Sequence, residues 1–273
     1  MNQSQKEILI RSLELQKEIF GDELFASKEK SIQRSSSDKR KTEVVYEVPK
    51  TKIKKTTDEK IELTKPAAPT KVKEPQPEIF NSIKEPWSDS ISLDELNKQI
   101  CNCTKCDLHK GRNKFVFGSG NNNADVMVIG EGPGAEEDKQ GLPFVGRAGQ
   151  LLTDILKAIN FSRDEVYIGN IVKCRPPENR TPTSSEMETC IPYLKKQIEL
   201  IKPKAILCLG LTAAQGLLKK KDSLTNMRGK VFLYEGIKVM ITYHPAALLR
   251  NPNWKKGCWE DVKQFRKMYD GLV

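Results

Sequence analysis

The sequence has no apolar run near the roughly 18 residues that a membrane-spanning helix needs. Its first twenty residues also lack the basic, apolar and then small-residue order of a secretion signal. We therefore expect an intracellular, cytoplasmic protein with no membrane partner. In that compartment the seven cysteines are expected to be metal ligands or free thiols rather than disulfides.

Two common phosphate-binding patterns are also absent. The turn GEGPG at residues 130–134 follows an apolar run, but it has neither the Gly-Lys-Ser/Thr end of a Walker A loop nor the Gly-x-Gly-x-x-Gly spacing. Glu136, Glu137 and Asp138 follow it after one alanine and would repel a phosphate. Glycine lets backbone N–H groups approach a ligand closely. The turn is therefore predicted to hold a compact uncharged group, or one that develops positive charge.

The net charge of +10 is unevenly distributed. Residues 201–273 contain 14 Lys and Arg but only 5 Asp and Glu, and so carry +9 of it. Clustered basic residues neutralise phosphates, which predicts a surface that faces a polyanion; a solvated Lys-rich surface is the alternative. The densest basic run is Lys219, Lys220 and Lys221.

Composition divides the chain near residue 90. Apolar spacings of three and four in residues 1–26 predict a short amphipathic helix, either a fraying terminus or a docking helix for a protein partner. The following stretch to residue 90 has too few apolar residues to offset chain entropy, which predicts a disordered linker. The predicted domains are thus an N-terminal extension at 1–90 and a globular domain at 91–273.

Four short, continuous apolar runs alternate with helical patterns in the globular part. Such runs are typical of strands buried on both faces of a parallel sheet. The alternation predicts a three-layer α/β/α sandwich with a central four-stranded parallel sheet, and ligands beyond the carboxyl ends of the strands. A capping-box spacing adds a helix after Ser92. The predicted strands are 125–130, 166–172, 205–210 and 238–243, and the predicted helices are 148–159, 184–201, 212–218 and 254–272.

Four cysteines have the spacing of a four-thiolate site, a C-x2-C pair followed by two distant residues. This plan suits zinc or an iron–sulfur cluster, and spacing does not choose between them. Cys101 competes for a ligand position, whereas Cys208 and Cys258 lie in apolar patterns and are predicted to be structural. The candidate ligands are Cys103, Cys106, Cys174 and Cys190.

Taken in order, five stretches resemble the family 4 uracil-DNA glycosylases, the iron–sulfur branch of the uracil-DNA glycosylase superfamily. The resemblance covers about residues 93–273 and leaves residues 1–90 outside. The five stretches are CTKCDLHKGRNKFVFGSGN, GEGPGAEEDKQGLPFVGRAGQLL, NIVKCRPPENRTPT, the cysteine at position 190, and HPAALLRNPNWK.

The resemblance implies a monomeric enzyme that flips uracil out of single- or double-stranded DNA and hydrolyses its N-glycosidic bond. Such an enzyme leaves an abasic site and starts base-excision repair. No basic insertion precedes His244, so the covalent link to abasic DNA of a related subgroup is not expected. The alternatives are a non-catalytic binder of uracil-containing or abasic DNA, and a zinc-stabilised α/β protein that binds another nucleotide. The implied cofactor is a structural [4Fe–4S] cluster on Cys103, Cys106, Cys174 and Cys190.

The resemblance also assigns roles within the base pocket. Phe144 matches the aromatic side chain that stacks on the flipped uracil, and Gly132 belongs to the turn beside it. Asn170 matches the residue that donates to uracil O4 and accepts from N3–H. His244 matches the donor to O2, where negative charge builds on the leaving base.

Further roles concern the sugar and the DNA strand. Glu131 and Glu137 are the candidates to position a water or to stabilise the oxocarbenium-like sugar, and Asn179 to share in holding that water. The loop after His244 resembles the segment that fills the gap left by the flipped base. Its expected DNA contacts are Leu248, Leu249 and Arg250.

Overall fold

The computed structural model describes residues 85–273, together with residues 10, 13, 14 and 16–19. Residues 20–84, which hold most of the predicted linker, lie outside the described residues, and the domain boundary at residue 90 stays a prediction. The described N-terminal residues are helical. Ile19 is buried in the apolar core of the globular domain, and the Gln16 side chain donates a hydrogen bond to the Ala158 carbonyl at 3.0 Å.

A six-stranded mixed sheet forms the centre of the globular part, in the order β1-β3-β2-β4-β6-β5. The four inner strands are parallel, as predicted. A short antiparallel strand flanks them on each side. The strands are β1 (Ser119–Gly120), β2 (Val126–Gly130), β3 (Tyr167–Asn170), β4 (Ala205–Leu209), β5 (Phe232–Tyr234) and β6 (Ile237–Thr242).

Helices cover both faces of this sheet and confirm the predicted α/β class. Ser92 caps the first of them by accepting the Glu95 backbone N–H at 3.2 Å, as the capping-box spacing predicted. The α-helices of residues 85–273 are α1 (Leu93–Ile100), α2 (Ala135–Gln140), α3 (Arg147–Ala158), α4 (Ser184–Ile201), α5 (Leu211–Leu218), α6 (Leu224–Met227), α7 (Pro245–Arg250) and α8 (Lys255–Asp270).

Two apolar cores lie on opposite faces of the sheet, and this explains the continuous apolar runs. Successive side chains of a strand point to opposite faces, so neighbours in β2 enter different cores. Met127 and Ile129 pack in one core, and Val126 and Val128 pack in the other. Both faces are covered, and a strand in that position has no polar side to alternate with.

All seven cysteines lie in the described part of the chain, and none of them forms a disulfide. Cys208 in β4 and Cys258 in α8 are fully buried in the two cores, as predicted for structural residues. Of the helices in the described part of the chain, none is long and apolar enough to cross a membrane.

Candidate active site

A pocket of about 400 Å³ opens beyond the carboxyl ends of the parallel strands. This volume lies within the usual range for sites that bind small molecules. Parallel strands bring the segments that follow β2, β3 and β6 to one edge of the sheet, so distant motifs meet there. The pocket brings together eight of the predicted site residues: Glu131, Gly132, Glu137, Phe144, Asn170, Asn179, His244 and Arg250.

Asn170 ends β3 and lies at the floor of this pocket. Only 1% of it is exposed, and among the described residues its Oδ1 has no hydrogen-bond partner. Its strand neighbour is Gly130. A Cβ at Gly130 would lie 2.5 Å from Asn170 Oδ1 and 2.6 Å from Phe144 Cζ, so only glycine leaves room for both side chains. A buried acceptor without a partner is costly, and a ligand N–H would satisfy it.

Phe144 is buried beside Asn170 in a strained backbone conformation, with φ of +52°. Such a conformation costs on the order of 1–3 kcal/mol in a non-glycine residue and persists only where its surroundings hold it. The Arg163 guanidinium donates to the preceding carbonyl of Pro143 at 2.5 Å. Gly149 packs against the Phe144 carbonyl, which a Cβ there would approach to 1.9 Å. The position of the aromatic ring is therefore fixed by its neighbours.

Glu137 also helps to hold Phe144 in position. Its carboxylate accepts backbone N–H groups from Val145 at 2.9 Å, Gly146 at 3.0 Å and Gly134 at 3.1 Å. These bonds join the turn after β2 to the residues that directly follow Phe144. The Glu137 carboxylate is thus engaged in holding the pocket wall.

Glu131 lines the same pocket, but among the described residues its carboxylate is not bonded to the pocket wall as that of Glu137 is. Its backbone carbonyl accepts from Val172 N–H at 3.1 Å, which ties the turn to the segment after β3. Within residues 85–273, no donor contacts its side-chain carboxylate. Of the two predicted acids, Glu131 is the one with a carboxylate available to a ligand or a water.

His244 is the N-cap of α7, and its Nδ1 accepts the Ala246 backbone N–H at 3.2 Å. In a neutral imidazole this leaves the proton on Nε2, which is then a donor. Burial lowers the pKa of His244 to about 4, with the Arg250 charge acting in the same direction and Glu137 opposing it. The ring centroids of His244 and Phe144 are 5.5 Å apart. A neutral donor therefore lies beside the aromatic wall.

Asn179 lies in a short 3-10 turn, Pro177–Asn179, with φ of +55°. Its Oδ1 accepts from Arg175 Nε at 2.8 Å, so its amide NH₂ remains as the donor. Arg180, a pocket residue that the sequence analysis missed, forms two bonds to Glu186 of 2.6 and 2.8 Å. This pair lowers the pKa of Glu186 to about 2 and holds the loop against α4. The only sequence signal for it was the Thr-x-x-Glu capping box at the start of α4.

One predicted DNA contact is wrong. Leu248 is fully buried in the apolar core beneath α7, because helical spacing turns it inward. Leu249 is 39% exposed and Arg250 is exposed, so the outer surface of this loop consists of these two residues. The run at Lys219–Lys221 follows α5, which starts at the pocket edge of the sheet and runs away from it. Its placement favours a solvated helix end.

The four predicted cysteine ligands come from three parts of the chain. Cys103 and Cys106 precede β1, Cys174 follows β3, and Cys190 lies in α4. They are close enough to influence one another's thiol pKa, and burial raises the pKa of Cys190 to about 12. Three of the sulfurs accept a hydrogen bond. The donors are Tyr193 OH to Cys103 at 3.2 Å, Arg112 Nη1 to Cys174 at 3.2 Å, and Lys173 N–H to Cys190 at 3.3 Å. Burial raises the pKa of Cys106, and the Leu108 backbone acts against that rise.

This donor set suits sulfurs that carry negative charge. Among the described residues, no three His, Cys, Asp or Glu side chains are close enough to hold a single metal ion. Cys101 instead donates its thiol to the Lys98 carbonyl at 3.6 Å. Sequence reasoning did not find Arg112, Tyr193 or Lys173 as partners of the thiols, since each comes from a distant or buried position.

Comparison with known proteins agrees with this geometry. A profile of the Uracil DNA glycosylase superfamily matches residues 117–264. The type-4 uracil-DNA glycosylase of Archaeoglobus fulgidus is 43% identical over 185 residues, which are 65% of this chain and 93% of that protein. The corresponding protein of Pyrobaculum aerophilum is 44% identical over 64% of this chain and 93% of its own length. That of Thermotoga maritima is 47% identical over 58% and 84%.

The fold and the matched residues define the class: the chain belongs to the uracil DNA glycosylase superfamily. Within that class its relatives at 43–47% identity are type-4 uracil-DNA glycosylases, and the family resemblance found in the sequence is confirmed.

Proposed function

We propose that this chain is a monofunctional uracil-DNA glycosylase, which hydrolyses the N-glycosidic bond of flipped uracil and leaves an abasic site for base-excision repair. The observation that carries the proposal is the buried Oδ1 of Asn170, which has no partner among the described residues and lies in a pocket that the Phe144 ring and His244 also line. A pyrimidine needs these three elements: an aromatic wall, an acceptor for N3–H and a donor to a carbonyl.

Base selection rests on Asn170. Its Oδ1 accepts uracil N3–H while its NH₂ donates to O4, and cytosine reverses both groups. The Phe144 ring stacks on the base. Because its strained backbone is clamped by Glu137, Arg163 and Gly149, the ring is in place before uracil enters, and little ordering is left to occur on binding.

Bond cleavage moves electrons from the glycosidic bond onto the uracil, whose O2 gains negative charge. Neutral His244 donates from Nε2 to this oxygen, which stabilises the leaving base most strongly as the bond breaks. The sugar gains positive charge at the same time. Glu131 stabilises that cation and positions the attacking water, with the Asn179 amide as a second contact for the water.

The two acids are expected to respond differently to the same change. Glu131→Gln removes the charge that faces the sugar and should lower kcat by roughly tenfold or more with unchanged melting temperature. Glu137→Gln leaves one oxygen and introduces an NH₂ among three backbone N–H donors. It should therefore lower the melting temperature and raise KM.

Steady-state kinetics and thermal melts of both variants provide the measurement. Glu136→Gln, an exposed neighbour in the same helix, is the matched control. A Glu131→Gln enzyme with wild-type kcat would contradict the role of Glu131 in the chemistry.

We also propose that Cys103, Cys106, Cys174 and Cys190 hold a [4Fe–4S] cluster. Hydrogen bonds to three of the four sulfurs, with the Arg112 charge at Cys174, support this donor set. These four thiolates would hold the cluster, since no three His, Cys, Asp or Glu side chains of the described residues are close enough to hold a single metal ion. When bound, the cluster cross-links the segment before β1 to the loop after β3 and to α4. The chain's own residues perform the glycosylase chemistry.

Cys174→Ser and Cys190→Ser are expected to lose iron and the visible thiolate-to-iron absorption, and to lower the melting temperature, because one missing thiolate opens the site. Iron analysis and absorption spectra of the purified variants test this. Cys101→Ser, Cys208→Ala and Cys258→Ala should keep iron near the wild-type content. Iron loss in Cys101→Ser together with retention in Cys103→Ser would overturn the ligand assignment.

DNA contacts are assigned to the exposed tip of α7. Leu249 fills the gap left by the flipped base, and Arg250 contacts a phosphate or a base edge. We propose that the enzyme acts as a monomer and that the N-terminal helix contributes to contact with a protein partner. Its described residues already bury Ile19 against the globular domain, so an outer face would carry that contact.

The direct test of the function is release of free uracil from a short uracil-containing oligonucleotide. We expect uracil release and an intact abasic strand, without strand cleavage. Specific binding to uracil-containing DNA without release would contradict the proposal and leave a non-catalytic binding module.

A further inference from the structure

An aromatic pair outside the base pocket has no part in the chemistry above. Tyr243 follows β6 directly and precedes His244, and Trp254 ends the 3-10 turn that connects α7 to α8. Their rings are stacked, with centroids 5.1 Å apart and planes inclined by 16°. Trp254 is nevertheless 42% exposed, one of the largest apolar side chains on the described surface.

The Tyr243 ring of this pair is held in position by Arg228. The Arg228 guanidinium lies 3.9 Å from the centroid of the Tyr243 ring and donates to Tyr243 OH at 2.7 Å. Asp261, which is buried, accepts from Arg228 Nε at 2.7 Å. Gly257 makes room for this arrangement, since a Cβ there would lie 2.6 Å from Arg228 Nη2. Trp254 therefore rests on an aromatic ring whose own position is fixed.

The surroundings of Trp254 are exposed and basic. Residues 249–254 are all exposed, and this segment runs directly from the proposed gap-filling residue Leu249. Arg250, Lys255 and Lys256 lie within it or directly after it, and no Asp or Glu occurs from residue 245 to residue 259. An exposed aromatic ring in a segment that carries cations is typical of surfaces that bind single-stranded nucleic acid.

We propose that Trp254 is a stacking site for an unpaired base of the DNA strand that flanks the flipped uracil. The inference rests on the proposed glycosylase function for its location. Every nucleobase has a flat face that can stack on the exposed indole, whatever the DNA sequence. The neighbouring Lys and Arg side chains neutralise the phosphates on either side. The stacked Tyr243 and Arg228 keep the indole in position, which reduces the side-chain entropy lost on binding.

The proposal predicts an opposite substrate bias for two neighbouring residues. In a duplex the flanking bases are already paired and stacked, and Leu249 replaces the stacking lost when uracil leaves. In a single strand there is little gap to fill, and the flanking bases are free to stack on Trp254. Leu249→Ala should therefore reduce activity most on duplex DNA, and Trp254→Ala most on single-stranded DNA.

The first measurement uses a single-stranded oligothymidylate without uracil, so that the base pocket is not required. Tryptophan emission of the wild-type protein is expected to fall on binding, because Trp254 is the most exposed of the three tryptophans. Trp254→Ala should weaken Kd by roughly 5- to 150-fold, the range for loss of one base–aromatic stack. Trp254→Phe should keep most of the affinity, since a phenyl ring retains a stacking face, but should lose the emission change.

The second measurement is the ratio of single-strand to duplex uracil release for Trp254→Ala, Leu249→Ala and the wild type. The matched control is Leu233→Ala, which removes a 70% exposed leucine from the edge strand β5 and should change neither Kd nor the ratio. Melting temperatures establish that each variant is folded.

The outcomes separate the two proposals. If the wild type releases uracil but Trp254→Ala keeps its Kd and its substrate ratio, the stacking site is refuted and the glycosylase function stands. If oligothymidylate quenches Trp254 and no substrate releases uracil, the function fails while the stacking site stands. Equal weakening by Trp254→Ala and Trp254→Phe would refute stacking, because only Phe offers a ring face.

Discussion

His244→Asn is expected to lower the kcat for uracil release by roughly 10²–10³-fold, the usual cost of removing a preorganised donor to a developing anion. Asparagine is chosen because His244 also caps α7 through Nδ1. An Asn side chain keeps an acceptor for the N-terminal turn of the helix but is too short to replace the Nε2 donor. The melting temperature should therefore stay close to the wild-type value, and His244→Ala should lower both kcat and melting temperature.

The pH dependence of the wild type tests the same role. Because burial lowers the pKa of His244 to about 4, the ring should be neutral throughout the range from about pH 6 to 8. No activity change from His244 is expected there. His244 binds a proton more readily in the unfolded chain than in the folded protein. Its contribution to the free energy of unfolding is therefore present above the ordinary pKa of 6.5 and is lost as pH falls towards 4. A kcat that halves near pH 6.5 only in proteins with His244 would contradict a neutral donor.

Asn170→Asp is expected to reduce uracil release by roughly 5- to 150-fold, and by more if the contact strengthens in the transition state. A carboxylate presents acceptors where uracil O4 needs a donor, and its charge is costly at a position that is 1% exposed. A protonated Asp offers a donor and an acceptor in an order that suits cytosine. Uracil and cytosine release from matched oligonucleotides should therefore be measured together.

Asn123→Ala is the control for this series. It is exposed before β2, at the end of the sheet opposite the pocket, and should leave uracil release unchanged. Asn170→Ala should lose uracil release without gaining activity on cytosine. Full activity of both Asn170 variants would mean that this side chain does not recognise the base.

The pocket also explains why two similar acids in one loop differ in role. Glu137 lies in the first turn of α2, and its carboxylate accepts hydrogen bonds from three backbone N–H groups. Glu131 precedes Gly132, where a Cβ would lie 2.7 Å from Val172 Cγ2, and the close approach directs the turn around the pocket. The spacing of the two acids in the sequence does not predict their different roles. The difference arises because the fold places the backbone N–H groups of residues 145 and 146 beside Glu137.

The sequence by itself determined the elements whose signal is local and repeated. The continuous apolar runs located four parallel strands, because a strand between two cores has apolar residues at every position. The helical pattern predicted α4 with its observed bounds, and in the structure Thr183 and Glu186 form a capping box at its start. The order of the motifs was enough to predict which strand ends would meet, as parallel strands bring them to one edge.

Tertiary structure decided what depends on side-chain direction and on distant partners. Strands β1 and β5, of two and three residues, are too short to show a periodicity, and pairing with β3 and β6 defines them. Leu248 and Leu249 are identical in the sequence, but α7 turns one into the core and the other outward. The stacking of Trp254 on Tyr243 joins residues eleven positions apart across a helix and a turn. Local propensity cannot specify such contacts, because they form only when separate elements pack against the same sheet.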